Sequence, residues 1–118
     1  MGRYVIHIDD NIWAEGDGFW VRGGRSSSVH VSPGGATRLR VRIRNGDAPG
    51  PVALDLAGQH QVLELAAGEV HEVDLRLTGD ELTIPLTIMP TNGSRPIEHD
   101  PTSRDRRWLG CLVMLEPS

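Results

Sequence analysis

Arg38-Leu39-Arg40-Val41-Arg42-Ile43-Arg44 alternates arginine with aliphatic residues for seven consecutive positions. Successive side chains on a β-strand point to opposite faces, so Leu39, Val41 and Ile43 share one face and the four arginines share the other. One dry face and one wet face describe a strand of an antiparallel sheet laid on a core. A slip of one residue in its pairing would bury all four charges, so the pattern also sets the register.

Outward from this strand the same period recurs. Downstream, Asn45-Gly46-Asp47 and Pro49-Gly50-Pro51 end it, and Val52, Leu54 and Leu56 form the next strand up to Gly58. His60–Leu65 closes at Ala67-Gly68-Glu69, and Val73, Leu75 and Leu77 alternate up to Thr78-Gly79-Asp80. Upstream, Ser28–Val31 precedes the turn Ser32-Pro33-Gly34-Gly35, Phe19–Arg22 ends at Gly23-Gly24, and Tyr4–Ile8 alternates again. The Asp-, Asn- and Gly-rich stretch between Ile8 and Phe19 reads as a loop.

Leu82, Ile84, Leu86 and Ile88 make another strand, interrupted by Pro85. Proline cannot donate to a ladder, so this strand is expected at a sheet edge or with a bulge. Trp108–Leu115 is apolar on both faces and is expected to be central. No helix longer than a turn is expected. Short strands with regular turn signals predict an all-β fold of about eight strands: an antiparallel β-sandwich, immunoglobulin-like or jelly-roll-like, spanning residues 1–118 as one domain.

The 118 residues suffice for a core without staples. Cys111 is the single cysteine, so no internal disulfide forms, and its apolar neighbours mark it as a small buried hydrophobe. All 12 basic residues are arginine against 16 acids, a formal net charge of −4 that argues against a nucleic-acid partner. No stretch approaches the roughly 18 apolar residues that span a bilayer. The N-terminus lacks the layout of a signal peptide, so an export signal would have to stand outside this chain.

The arginine row has two readings. Four guanidinium groups at two-residue spacing could track an anionic polymer. The plainer expectation is cross-strand pairing with Asp55, Glu64, Glu72 or Asp74. Asp9-Asp10-Asn11 with Glu15 and Asp17 could supply oxygens for Ca²⁺, but the spacing is not that of an EF-hand loop, and turn formation explains the same residues. The histidines are scattered singly, and no nucleophile elbow, phosphate loop or dinucleotide fingerprint occurs. No metal, no cofactor and no catalysis are therefore expected. Asp105 beside Arg106 and Arg107 is expected to lock the long segment before the last strand.

The aromatic set is the more pointed signal. Indole rings stack on the apolar faces of sugars, and Trp13 sits in a polar stretch where a ring would stay exposed. Phe19 and Trp20 are neighbours in a strand, so one faces the core and the other faces out. One of these two and Trp108 are expected to anchor the core. The candidate carbohydrate-binding residues are Trp13, Asp17, Phe19, Trp20, Arg22 and Arg25, with Asp17 and the arginines bonding sugar hydroxyls or carboxylates.

Leu39 to Asp47, Val52 to Leu56, Leu65-Ala66-Ala67-Gly68-Glu69 and the strand through Val73, Leu75 and Leu77 resemble a bacterial immunoglobulin-like sandwich of the adhesion or accessory type. The flanks Gly18–Gly24 and Ser103–Gly110 are similar to uncharacterised sandwich domains of large bacterial envelope proteins. The resemblance implies a non-catalytic accessory module, which as part of a larger bacterial envelope protein would stand outside the cytoplasm; with the aromatic set, the expected partners are carbohydrate or neighbouring protein domains. A structural module that spaces or docks domains, pairing through a Pro85 edge strand, is the alternative.

Overall fold

The computed structural model describes residues 5–16 and 18–118. Among these residues ten strands form two five-stranded sheets in which every pairing is antiparallel. One sheet contains β1 (Val5–Ile8), β4 (Ser27–Ser32), β9 (Ile84–Pro90), β6 (Gly50–Leu56) and β7 (Gln59–Leu65), in that spatial order. The other contains β2 (Ile12–Glu15), β3 (Gly18–Arg22), β10 (Leu109–Pro117), β5 (Arg38–Asn45) and β8 (Val70–Arg76). A helical turn, α1 (Pro96–His99), lies in the connection between β9 and β10.

The pairs β6–β7, β5–β8, β4–β9 and β3–β10 nest around the turn at Ala57-Gly58. The chain thus forms one long hairpin rolled into two layers, which is the jelly-roll order of the two sandwich arrangements expected. The β1 and β2 strands extend the two sheets beyond β4 and β3.

The core follows the alternation. Leu39, Val41 and Ile43 of β5 are fully buried, as are Val29 and Val31 of β4 and Leu86 and Ile88 of β9. Each such side chain contributes roughly 1.5–3 kcal/mol by leaving water. Cys111 joins them, and burial pushes its thiol up to about 12.

Several expectations change. Ile12–Glu15 is a strand rather than a loop, and Leu82 is exposed outside any strand. The Pro85 strand is central, between β4 and β9's other neighbour β6. Its carbonyl accepts from the Ala57 N–H at 3.0 Å, so its backbone polar groups face the end of β6, where the ladder stops at Leu56–Leu86. The missing donor therefore leaves no gap inside the ladder, and no Pro85 edge exists to pair with a partner. Trp108 stands just before β10 and is half-buried outside the core, whereas the apolar run that follows it is central as expected.

Arginines of β5 pair with acids of β8 and β10. Arg38 contacts Asp74 at 3.0 Å, Arg40 lies 3.3 Å from Asp74 and 4.0 Å from Glu116, and Arg42 contacts Glu72 at 2.7 Å. The guanidiniums of Arg38 and Arg40 hold the Asp74 carboxyl below its usual range. Asp55 and Glu64 are not partners, because they lie on β6 and β7 in the opposite sheet.

Candidate binding site

The outer face of the β2-β3-β10-β5-β8 sheet carries the candidate site. Phe19 and Val21 point into the core, so Gly18, Trp20 and Arg22 point outward. Trp13 of β2 is the direct partner of Trp20, Trp20 of Leu112, Leu112 of Arg44 and Arg44 of Val70. One row therefore runs Trp13, Trp20, Leu112, Arg44, Val70 across five strands. Trp20 and Arg44 are separated by two strand spacings, about 10 Å.

Where β5 ends, this row opens into a cavity of about 190 Å³. Trp20 forms one wall, Arg44, Asn45 and Asp47 another, and Ser94 and Pro96 of the β9–β10 connection complete it. Asn45 is buried and fixes the strand end: its side-chain amide donates to the Leu65 carbonyl at 3.1 Å and its Oδ1 accepts from the Gly46 N–H at 3.1 Å.

The long β9–β10 connection is tied down at several points. Ser94 and Leu109 exchange backbone hydrogen bonds, each 2.9 Å. A register shift at Gly110 turns Leu109 onto the outer face opposite Arg22, where it is 7% exposed yet lies outside the inter-sheet core. The Arg95 guanidinium sits 4.6 Å over the Trp108 ring. Gly93 admits that ring, since a Cβ there would meet Trp108 Nε1 at 2.6 Å. Asp105 binds the Arg107 guanidinium through Nε at 2.9 Å and Nη2 at 2.6 Å, and Arg107 extends to 5.7 Å over the Trp13 ring. The hydrogen bond from Arg107 holds the Asp105 carboxyl below its usual range.

Of the residues proposed from sequence, Trp13, Trp20 and Arg22 share the outer face and are half-buried. Phe19 leaves the set: it is 3% exposed and packs in the core, the inward member of the Phe19-Trp20 pair. Arg25 is exposed in the β3–β4 connection, and among the described residues no ring contact, ion pair or hydrogen bond joins it to the tryptophans. Asp17 lies outside the described residues. Asp47, Ser94 and Pro96 were not candidate contacts in the sequence, and Arg44 entered there only within the arginine row weighed as a track for an anionic polymer. Asp9, considered for Ca²⁺, instead accepts from the Asn11 and Ser28 N–H groups at 2.9 and 2.7 Å. Among the described residues no group of three or more acidic, histidine or cysteine side chains is arranged to hold a metal.

No protein-family model and no curated protein matches the sequence. Among solved structures, 96% of the chain aligns with the secreted serine protease VesC from Vibrio cholerae, at a TM-score of 0.54 and 10% identity. The chain spans 24% of that protease, and the likeness is one of fold. TmCBM61, solved in complex with β-1,4-galactotriose, aligns over 98% of this chain and 88% of its own, at a TM-score of 0.38 and 14% identity. That similarity is too distant to bear on function. No helix among the described residues is long and apolar enough to cross a membrane.

Proposed function

We propose that this domain is a non-catalytic module that binds carbohydrate at the Trp20 cavity, as an accessory part of a larger protein at a bacterial envelope. The observation that carries the reading is the outward, half-buried Trp20 forming the wall of a cavity that Pro96 and Leu109 also line and to which Arg44, Asn45, Asp47 and Ser94 bring polar groups. An indole supplies a broad apolar surface for the C–H face of a sugar ring at low entropic cost. Arg44 and Asp47 supply a donor and an acceptor for its substituents, and Ser94 adds a second polar wall. At about 190 Å³ the cavity is smaller than the roughly 300–1,000 Å³ of drug-sized sites, which suits one ring or a chain end. Asp47 is its single carboxylate among the described lining residues, whereas glycoside hydrolysis uses a pair.

A glycan array with the wild-type domain, Trp20→Ala and Trp13→Ala tests this. Glycans held by the wild type are expected to be lost by Trp20→Ala and weakened by Trp13→Ala, with both variants folded. A folded wild type that binds no glycan, or a Trp20→Ala variant that binds as well, overturns the reading.

A second reading is a module that docks or spaces neighbouring protein domains. Met89, Ala53 and Val62 form a cross-strand row on the outer face of the β1-β4-β9-β6-β7 sheet. Val62 is 64% exposed and Met89 41%. A silent array would favour this reading.

A further inference from the structure

We infer that the cavity selects a glycan carrying a carboxylate, a uronic acid unit, with Arg44 as its anchor; this rests on the carbohydrate reading above. The four arginines of β5 are not equivalent. Arg38, Arg40 and Arg42 each have an acid within ion-pair distance. Arg44 has Leu112 and Val70 as its cross-strand partners, and among the described residues no ion pair or hydrogen bond engages its guanidinium. The other three arginines each have an acid within reach, and the one that lines this cavity has none among the described residues.

Trp20 stands on the same face, one strand beyond Leu112, and Arg22 follows it two residues along β3. Arg22 is likewise without an ion pair among the described residues. A ring stacked on Trp20 thus has a free guanidinium across β10 and a second one along its own strand. The planar fork of arginine matches a carboxylate with two parallel hydrogen bonds, which a sugar hydroxyl does not offer. Asp47 in the same cavity repels a carboxylate and accepts from hydroxyls. The two charges set the orientation: acid toward Arg44, ring hydroxyls toward Asp47 and Ser94.

The test is calorimetric titration with a panel of uronate trisaccharides, each paired with its neutral methyl ester. The proteins are the wild type, Arg44→Gln, Arg44→Lys and Trp20→Ala. At least one uronate should bind the wild type. Esterification or Arg44→Gln should weaken it by roughly 10-fold or more, the span for hydrogen bonds to a charged group. Arg44→Lys should recover part of the loss, and added salt should weaken the acid but not the ester. If acid and ester bind alike, and Arg44→Gln changes neither while Trp20→Ala abolishes both, the acid preference is overturned and the sugar site stands. If no member of the panel binds the folded wild type, and neutral glycans also fail on the array, both readings fall.

Discussion

Trp13 and Trp20 stand directly opposite each other on β2 and β3, on the outer face of their sheet. Each is held by a charged neighbour. The Trp20 indole N–H donates to the Glu15 carboxylate, and Arg107 covers Trp13. Cross-strand neighbours on one face of a sheet contribute roughly 0.2–1 kcal/mol. On the carbohydrate reading the larger consequence is rigidity, because a ring fixed before a ligand arrives spares about 0.5–1.5 kcal/mol of ordering on binding. On that reading Trp13, with Arg107 over its ring, is a positioning residue for Trp20, and Trp20 is the one that lines the cavity.

Asp105 anchors this arrangement through Arg107. Its carboxyl is held below the usual range by that guanidinium. A depressed carboxyl stabilises the fold above the unfolded value, about 3.9, and the contribution disappears as pH falls through the folded value. Asp105→Ala should therefore lower stability at pH 7 by about 1 kcal/mol, below the usual range for a charged hydrogen bond because the pair is partly exposed. Thermal melts across pH should show wild type and variant converging below about pH 4. A melt at pH 7 equal to the wild type's would show that the pair anchors nothing.

Ala57 is the one described non-glycine residue with a positive φ, at 53°, beside Gly58 at 87°. This two-residue turn joins β6 to β7 with Leu56 opposite Gln59, and both of its residues lie in the left-handed region that type I′ turns require. A Cβ there costs roughly 1–2 kcal/mol, and asparagine tolerates the conformation better than other residues. Ala57 is exposed, so its replacement sacrifices no packing. Ala57→Asn should raise stability by about 0.5–1 kcal/mol, and Ala57→Val should lower it. Denaturant unfolding of both variants decides the matter: a destabilised Ala57→Asn refutes the assignment of strain to this turn.

The fold was legible wherever one face of a strand is wet and the other dry. Leu39, Val41 and Ile43 announce themselves because arginines separate them, and the same holds for Val52, Leu54 and Leu56. β2 hides because it is a four-residue edge strand whose one clear core residue is Ile12, set among turn-forming Asp, Asn and Gly. Pro85 misleads because the rule against central proline concerns a donor facing a ladder, and here the nitrogen faces the end of β6. Alternation also cannot say which sheet a strand joins, so Asp55 and Glu64 were matched to arginines they never meet.

The binding face was half legible. Arg22 shares its strand parity with Trp20, and a charged residue on that face marks Trp20 as the outward ring and Phe19 as the inward one. The cavity itself had no contiguous signal. Arg44 and Asp47 flank one turn, Ser94 and Pro96 belong to a distant connection, and only the nested hairpin brings them to Trp20. The arginine pattern showed four equal charges; in the fold three have an acid within ion-pair distance, whereas Arg44 stands between Leu112 and Val70.

Cys111 supplies the last prediction. Its thiol is fully buried between β3 and β5 on the central strand β10, and burial pushes it up to about 12. The folded domain should therefore resist thiol reagents at neutral pH and react once unfolded. Linkage gives a second signature. A free thiol ionises near 8.5 in the unfolded chain but stays neutral in the fold. The unfolded state thus gains an extra deprotonation between that value and about 12, and stability must fall with rising pH in this window. The slope from one proton is about 1.4 kcal/mol per pH unit. Cys111→Val keeps an apolar, strand-compatible side chain of similar size and removes the titration. Urea unfolding of wild type and variant from pH 8 to 10 should show the wild type losing stability more steeply, and parallel curves would show that the thiol ionises as readily in the fold as outside it.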